Sequence, residues 1–114
     1  MTSLSGLENF TNLETLDLAY HDYLVDISAL TSLATKLTQL RLNSDSAITN
    51  LSPIAALTNL DRLSLEHSSI TSLDDLVSLS SLSYLNLDYN SSLADISGLS
   101  SLATNLTELY LDEA

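Results

Sequence analysis

Several things are scarce in this chain of 114 residues. It has no cysteine, so no disulfide holds the fold and the redox compartment cannot be read from thiol usage. One proline and two glycines leave no flexible linker on which to divide it, so a single structural unit is expected. Only 5% of residues are aromatic while 45% are apolar, which requires an aliphatic core. Three basic residues face fifteen acidic ones, for a net charge of −12. Such a chain is repelled by phosphate backbones and by anionic lipid surfaces, which argues against nucleic acid and membrane as partners. The opening MTSLSGLENF lacks the basic and apolar stretches of a signal peptide. No run approaches the roughly 18 apolar residues of a membrane span, and the chain is expected to be soluble.

What is abundant is leucine, in one recurring phrase. LETLDL starts at Leu13, LTQLRL at Leu37, LDRLSL at Leu60, LSYLNL at Leu82 and LTELYL at Leu106. The starts are separated by 24, 23, 22 and 24 residues, and self-similarity of L-x-x-L-x-L at that period is the mark of a leucine-rich repeat solenoid. Alternation within the phrase sends the leucines inward and the residues between them outward. Side by side, the copies build a parallel sheet of about five short strands. After each strand the apolar residues change to a spacing of three: Leu24, Ile27, Leu30, Leu33 in the first full repeat and Ile70, Leu73, Leu76, Leu79 in the third. With serine, threonine and aspartate between them, that spacing predicts 3₁₀ turns rather than a full α-helix. The expected architecture is an α/β-type solenoid. It is a right-handed arc with a short-stranded parallel sheet on the concave side and 3₁₀ or irregular turns on the convex side.

The segments LVDISALTSL (24–33), ITNLSPIAALTNL (48–60) and LADISGLSSLATNLTELYL (93–111) resemble the repeats of bacterial internalin-like and SDS22-like leucine-rich repeat proteins. The resemblance implies a curved solenoid that binds another protein on its concave face, in a parent protein that is secreted or on the cell surface. Two departures from the family pattern stand out. The ninth position of a repeat, ordinarily an asparagine whose amide bonds neighbouring backbone, holds His21, Asp45, Ser68 and Asn90, which predicts a partial ladder. The repeats beginning at Leu13, Leu37 and Leu82 carry one more residue before the convex turn than the repeat at Leu60, and a looser turn is expected there.

The repeat lengths recur over 69 residues, from Leu13 to Leu82 and from Leu37 to Leu106. The chain divides into a half repeat at 1–12, repeats at 13–36, 37–59, 60–81 and 82–105, and a half repeat at 106–114, with no evident capping elements. An excerpt from a longer array is one expectation. Head-to-tail stacking of copies, in which the two halves complete one another, is the other.

No catalytic, cofactor or metal site is expected. His67 beside Glu66 and Ser64 makes no triad, because adjacency does not supply the mutual geometry. Asp88, Asn90 and Ser92 begin like a calcium loop, but Leu93 and Leu99 stand where glycine and glutamate belong. Asp26 and Asp95, with Asp74 and Asp75, are expected to cap the convex turns. Sequons at Asn9, Asn50, Asn90 and Asn105 are no more than composition explains.

The functional candidate is the concave face. Its outward positions are Thr15 and Asp17, Gln39 and Arg41, Arg62 and Ser64, Tyr84 and Asn86, Glu108 and Tyr110, followed just beyond the strands by pairs such as Asn43 and Ser44. A protein partner is expected to contact Tyr20, Arg41, Arg62, His67, Tyr84, Tyr89 and Tyr110, since tyrosine and arginine so often dominate interface energy. Tyr84, Tyr89 and Tyr110 are expected to share one aromatic patch, and Asp17 to pair with Arg41 across strands.

Overall fold

The computed structural model describes residues 1–113; residue 114, the last of the C-terminal half repeat, lies outside the described residues. Five strands, β1 (Thr15–Asp17), β2 (Gln39–Arg41), β3 (Arg62–Ser64), β4 (Tyr84–Asn86) and β5 (Glu108–Tyr110), form one parallel sheet in sequential order. The middle leucine of each phrase pairs with its counterpart, Leu16 with Leu40, Leu40 with Leu63, Leu63 with Leu85 and Leu85 with Leu109. Register is set by burial, because a slip of one residue would turn every leucine out to water.

Between strands the chain returns through 3₁₀ helices: η1 (Leu7–Asn9), η2 (Ser28–Leu33), η3 (Ser52–Ala56), η4 (Asp74–Leu76) and η5 (Ser97–Leu102). Strands on one side and 3₁₀ turns on the other make the leucine-rich repeat arc predicted from the two spacings. Among the described residues the buried hydrophobic ones are leucine and isoleucine alone. Packing is densest in the middle repeats: Leu40, Leu63 and Leu85 are at most 3% exposed, whereas Leu109 on β5, the last strand among the described residues, is 40% exposed.

Small polar side chains tie neighbouring repeats along the other edges. Thr38 Oγ1 donates to the Glu14 carbonyl (3.2 Å), Thr107 Oγ1 to that of Ser83 (3.1 Å) and Ser78 Oγ to that of Ala55 (3.0 Å). The threonine hydroxyls add to carbonyls that already accept two backbone amides of the next repeat, whereas Ser78 supplies the Ala55 carbonyl with a donor from a side chain.

The turn after each strand corrects one expectation. The extra residue in three repeats does not loosen it but closes a further hydrogen-bonded turn: the Leu24 amide donates to the His21 carbonyl (2.9 Å), Ile48 to Asp45 (3.1 Å) and Leu93 to Asn90 (2.9 Å). The shorter third repeat carries the irregularity, with Ser69 in the left-handed region at φ 55°.

Capping of the convex turns is also redistributed. Asp26 Oδ1 accepts the Ser28 amide (2.9 Å) and Asp95 Oδ1 that of Ser97 (2.8 Å), as expected. Asp74 and Asp75 instead lie inside η4, where the Asp74 amide donates to Ser72 Oγ (3.1 Å); Asn50 Oδ1 does the same work for Ser52 (3.0 Å). The capping position thus runs Asp26, Asn50, Ser72, Asp95, four residues with a side-chain acceptor two positions before the bonded amide.

Candidate functional site

The outward positions of β1 to β4 line a groove of about 410 Å³ along the sheet. Its floor is laid out by the strand register, which sets Gln39 beside Arg62, Arg62 beside Tyr84 and Tyr84 beside Glu108 in one row, and Asp17 beside Arg41 and Asn86 beside Tyr110 in the next.

The two arginines meet different surroundings. Arg41 Nη1 donates to Asp17 Oδ2 at 3.0 Å, the one ion pair among the described residues. Asp17 is held below the usual carboxylate range, first by the Ala19 amide it also accepts and then by Arg41, whose own pKa is raised in return. The Arg41 guanidinium also lies 5.9 Å from the Tyr20 ring. Arg62 rests on an aromatic face instead, its guanidinium carbon 4.1 Å from the Tyr84 centroid. On the next strand Tyr110 tilts against Tyr84, with centroids 5.4 Å apart and planes at 47°.

The single tyrosine patch expected from the sequence divides in two. Tyr84 and Tyr110 stand together on the strands, while Tyr89 stacks on His67 at the rim, with centroids 4.7 Å apart and planes 8° from parallel. The reason is backbone geometry. Tyr20, Ser44, His67, Tyr89 and Glu113 occupy the eighth position of successive repeats, and all five have positive φ, between 55° and 66°. The left-handed conformation turns the chain sharply after the strand and aims these side chains along the rim rather than over the groove. In four of the five it is stabilised by an amide that donates to a carbonyl of the next repeat, Tyr20 to Asn43 (2.8 Å), Ser44 to Glu66 (2.8 Å), His67 to Asp88 (3.0 Å) and Tyr89 to Asp112 (2.7 Å). No glycine marks the position, so the residue types gave no signal of it; only its recurrence at a fixed offset could have.

Asn43 is a second correction. Expected just beyond its strand among the outward residues, it is buried, and its Oδ1 accepts from Ser64 Oγ (2.6 Å) and from the Glu66 amide (3.1 Å). It braces the groove wall instead of offering a contact.

Beneath the rim, the ninth position forms the partial ladder. Asn90 Oδ1 accepts the Ser68 and Ile70 amides (3.1 and 3.0 Å), and its Nδ2 donates to the Leu65 and Leu87 carbonyls (2.9 and 3.0 Å). Ser68 Oγ reaches the Leu42 carbonyl (2.8 Å), and Asp45 Oδ1 accepts the His21 amide (2.6 Å). Burial of Asn90 also removes it from the usable sequons.

Among the described residues, no group of three or more histidine, aspartate or glutamate side chains is arranged to hold a metal ion, and no helix is long and apolar enough to cross a membrane. A scan of protein-family models returns no match, and neither does a search of curated proteins. Solved structures do match. An internalin C2 of Listeria monocytogenes is 35% identical over 96% of this chain, with a TM-score of 0.86. The chain belongs to the internalin-like leucine-rich repeat proteins. An internalin from the same organism, InlF, is 30% identical over 94% of the chain, with a TM-score of 0.71. The internalin-like solenoid spans 46% and 36% of the length of those two chains, under half of each.

Proposed function

We propose that this internalin-like solenoid is a non-enzymatic protein-interaction module that engages a partner through its concave face. The observation that carries the reading is the unbroken run of side-chain contacts from Arg62 to Tyr84 to Tyr110 across three adjacent strands, beside an open groove. Arg62 is propped on Tyr84 with no carboxylate of the described residues within ion-pair distance, so its donors stay available for a partner's acceptor. Tyr110 is 43% exposed and offers ring edge and hydroxyl together. Both arginines and four tyrosines are held by neighbouring side chains or by a fixed backbone turn. Little rotamer entropy then remains to be lost on binding.

On the same strands or just beyond them stand Glu66, Asp88, Glu108 and Asp112, within a chain of net charge −12. A partner with a basic surface is therefore favoured, and its association should slow as salt rises. The same charge speaks against nucleic acid. Nothing in the residue chemistry supports catalysis.

The test uses binders selected without bias from a displayed peptide library against the folded chain. Replacing Tyr84 and Tyr110 together by alanine should weaken them at least tenfold, with Tyr23→Ala, an exposed tyrosine outside the sheet, leaving affinity unchanged. Affinity that survives the double change refutes the concave reading.

A second reading, end-to-end stacking of copies, draws on the exposed Leu109 of β5 and on Phe10 and Met1, 56% and 57% exposed at the other end of the arc. A chain that stays monomeric by light scattering at high concentration removes it.

A further inference from the structure

Asp45 is completely buried, yet one of its carboxyl oxygens has no partner. Oδ1 accepts the His21 amide at 2.6 Å, whereas Oδ2 is the one buried side-chain polar atom without a hydrogen bond among the described residues. The equivalent residue two repeats on shows what that place demands. At Asn90 the corresponding atom is an amide nitrogen, and it gives hydrogens to the carbonyls of Leu65, Leu87 and Asp88. Ser68 meets the same demand with a hydroxyl, donating to Leu42 and Glu66. Every other occupant of the buried ladder is therefore a donor on this side. By repeat equivalence the acceptors at Asp45 are the carbonyls of Leu18, Leu42 and Asn43, of which Leu42 also accepts Ser68 Oγ and Asn43 the Tyr20 amide. An ionised carboxylate would bring a lone pair to a place built for a hydrogen.

We propose that Asp45 is a carboxylic acid in the folded chain, its Oδ2–H standing in for the asparagine amide, and that this proton makes the turn of the second repeat a pH-sensitive element. Burial raises the carboxyl above its ordinary range, which the His21 amide and the nearby His21 ring oppose and the charges of Asp22 and Asp17 reinforce. The folded chain then holds the proton more tightly than the unfolded one. The stability it contributes is complete below the unfolded value of about 3.9 and is lost as pH rises through the folded value. The same proton governs the rim: Oδ1 holds the amide next to Tyr20, and the Tyr20 amide holds the Asn43 carbonyl at 2.8 Å.

Two measurements on the 114-residue chain test this. A carbon-detected NMR titration of the Asp45 carboxyl should give a midpoint at least one unit above about 3.9. A midpoint less than one unit above that value overturns the proposal. Asp45→Asn should unfold at higher temperature than the parent chain at pH 7, and the gap should close as pH is lowered toward 4. A gap that is constant over that range, or a variant less stable at pH 7, overturns it equally.

Discussion

The guanidinium of Arg62 stacks on Tyr84 of the neighbouring strand, 4.1 Å from carbon to ring centroid, and the parallel register makes the two direct neighbours. Most cations of this acidic chain would be expected to sit on carboxylates, and Arg41 does. A double-mutant cycle of Arg62→Ala and Tyr84→Ala should show a coupling of about 0.5–1 kcal/mol in stability, the range for a partly exposed cation–π pair. Coupling indistinguishable from zero would mean that the two side chains are independent, and Arg62 would lose its place as a held anchor.

The Asp17–Arg41 pair should contribute less and behave differently with salt. Both side chains are about half exposed, at 54% and 45%. The coupling should be at most about 1 kcal/mol at low ionic strength and should fade by 1 M salt. A salt-independent coupling would show that the pair is more enclosed than its exposure implies.

Asn90 should be the costliest polar side chain to remove. Truncation to alanine strands two buried amides and two or more carbonyls, each costing about 1–3 kcal/mol if nothing replaces the bond. With water entering part of the space, a loss of roughly 3 kcal/mol in chemical denaturation is expected, against well under half of that for Ser68→Ala, which forfeits a single hydroxyl donor.

Strain in the eighth-position column is open to a direct check at Ser44, whose φ is 62°. A non-glycine residue in the left-handed region carries about 1–2 kcal/mol of strain, offset by the greater flexibility of unfolded glycine. Ser44→Gly should raise stability by up to about 1 kcal/mol, and Ser44→Val should lower it. Equal effects of the two substitutions would remove strain from the account.

The caps predict an acid limb of opposite sign to that of Asp45. Asp26 and Asp95 are held below the usual carboxylate range by the Ser28 and Ser97 groups they accept from. Their contribution is present above about pH 3.9 and lost as pH falls through the lower folded values. Asp26→Ala and Asp95→Ala should lower the thermal midpoint at pH 7 and match the parent chain near pH 2, as midpoints measured at the two pH values will show.

The sequence by itself determined the repeat unit and the two faces of the arc. Leucines at a period of two and then of three cannot be buried together in any other way, and the 24-, 23- and 22-residue intervals bring the phrases into register. It also placed Tyr84, Tyr110, Arg41 and Arg62 on one sheet face, because alternation along a strand is a local property. Tertiary structure decided the rest. Whether Tyr89 joins Tyr84 or stacks on His67 depends on a left-handed turn stabilised by carbonyls a full repeat away. Whether Asn43 faces a partner or braces the wall depends on Ser64 and Glu66 of the next repeat. Asp45 reads as one more acidic residue in a chain with fifteen; only burial between two repeats gives its second oxygen nowhere to turn. Bonds that cross from one repeat to the next have no signature within either, and it is those bonds that shape the concave rim.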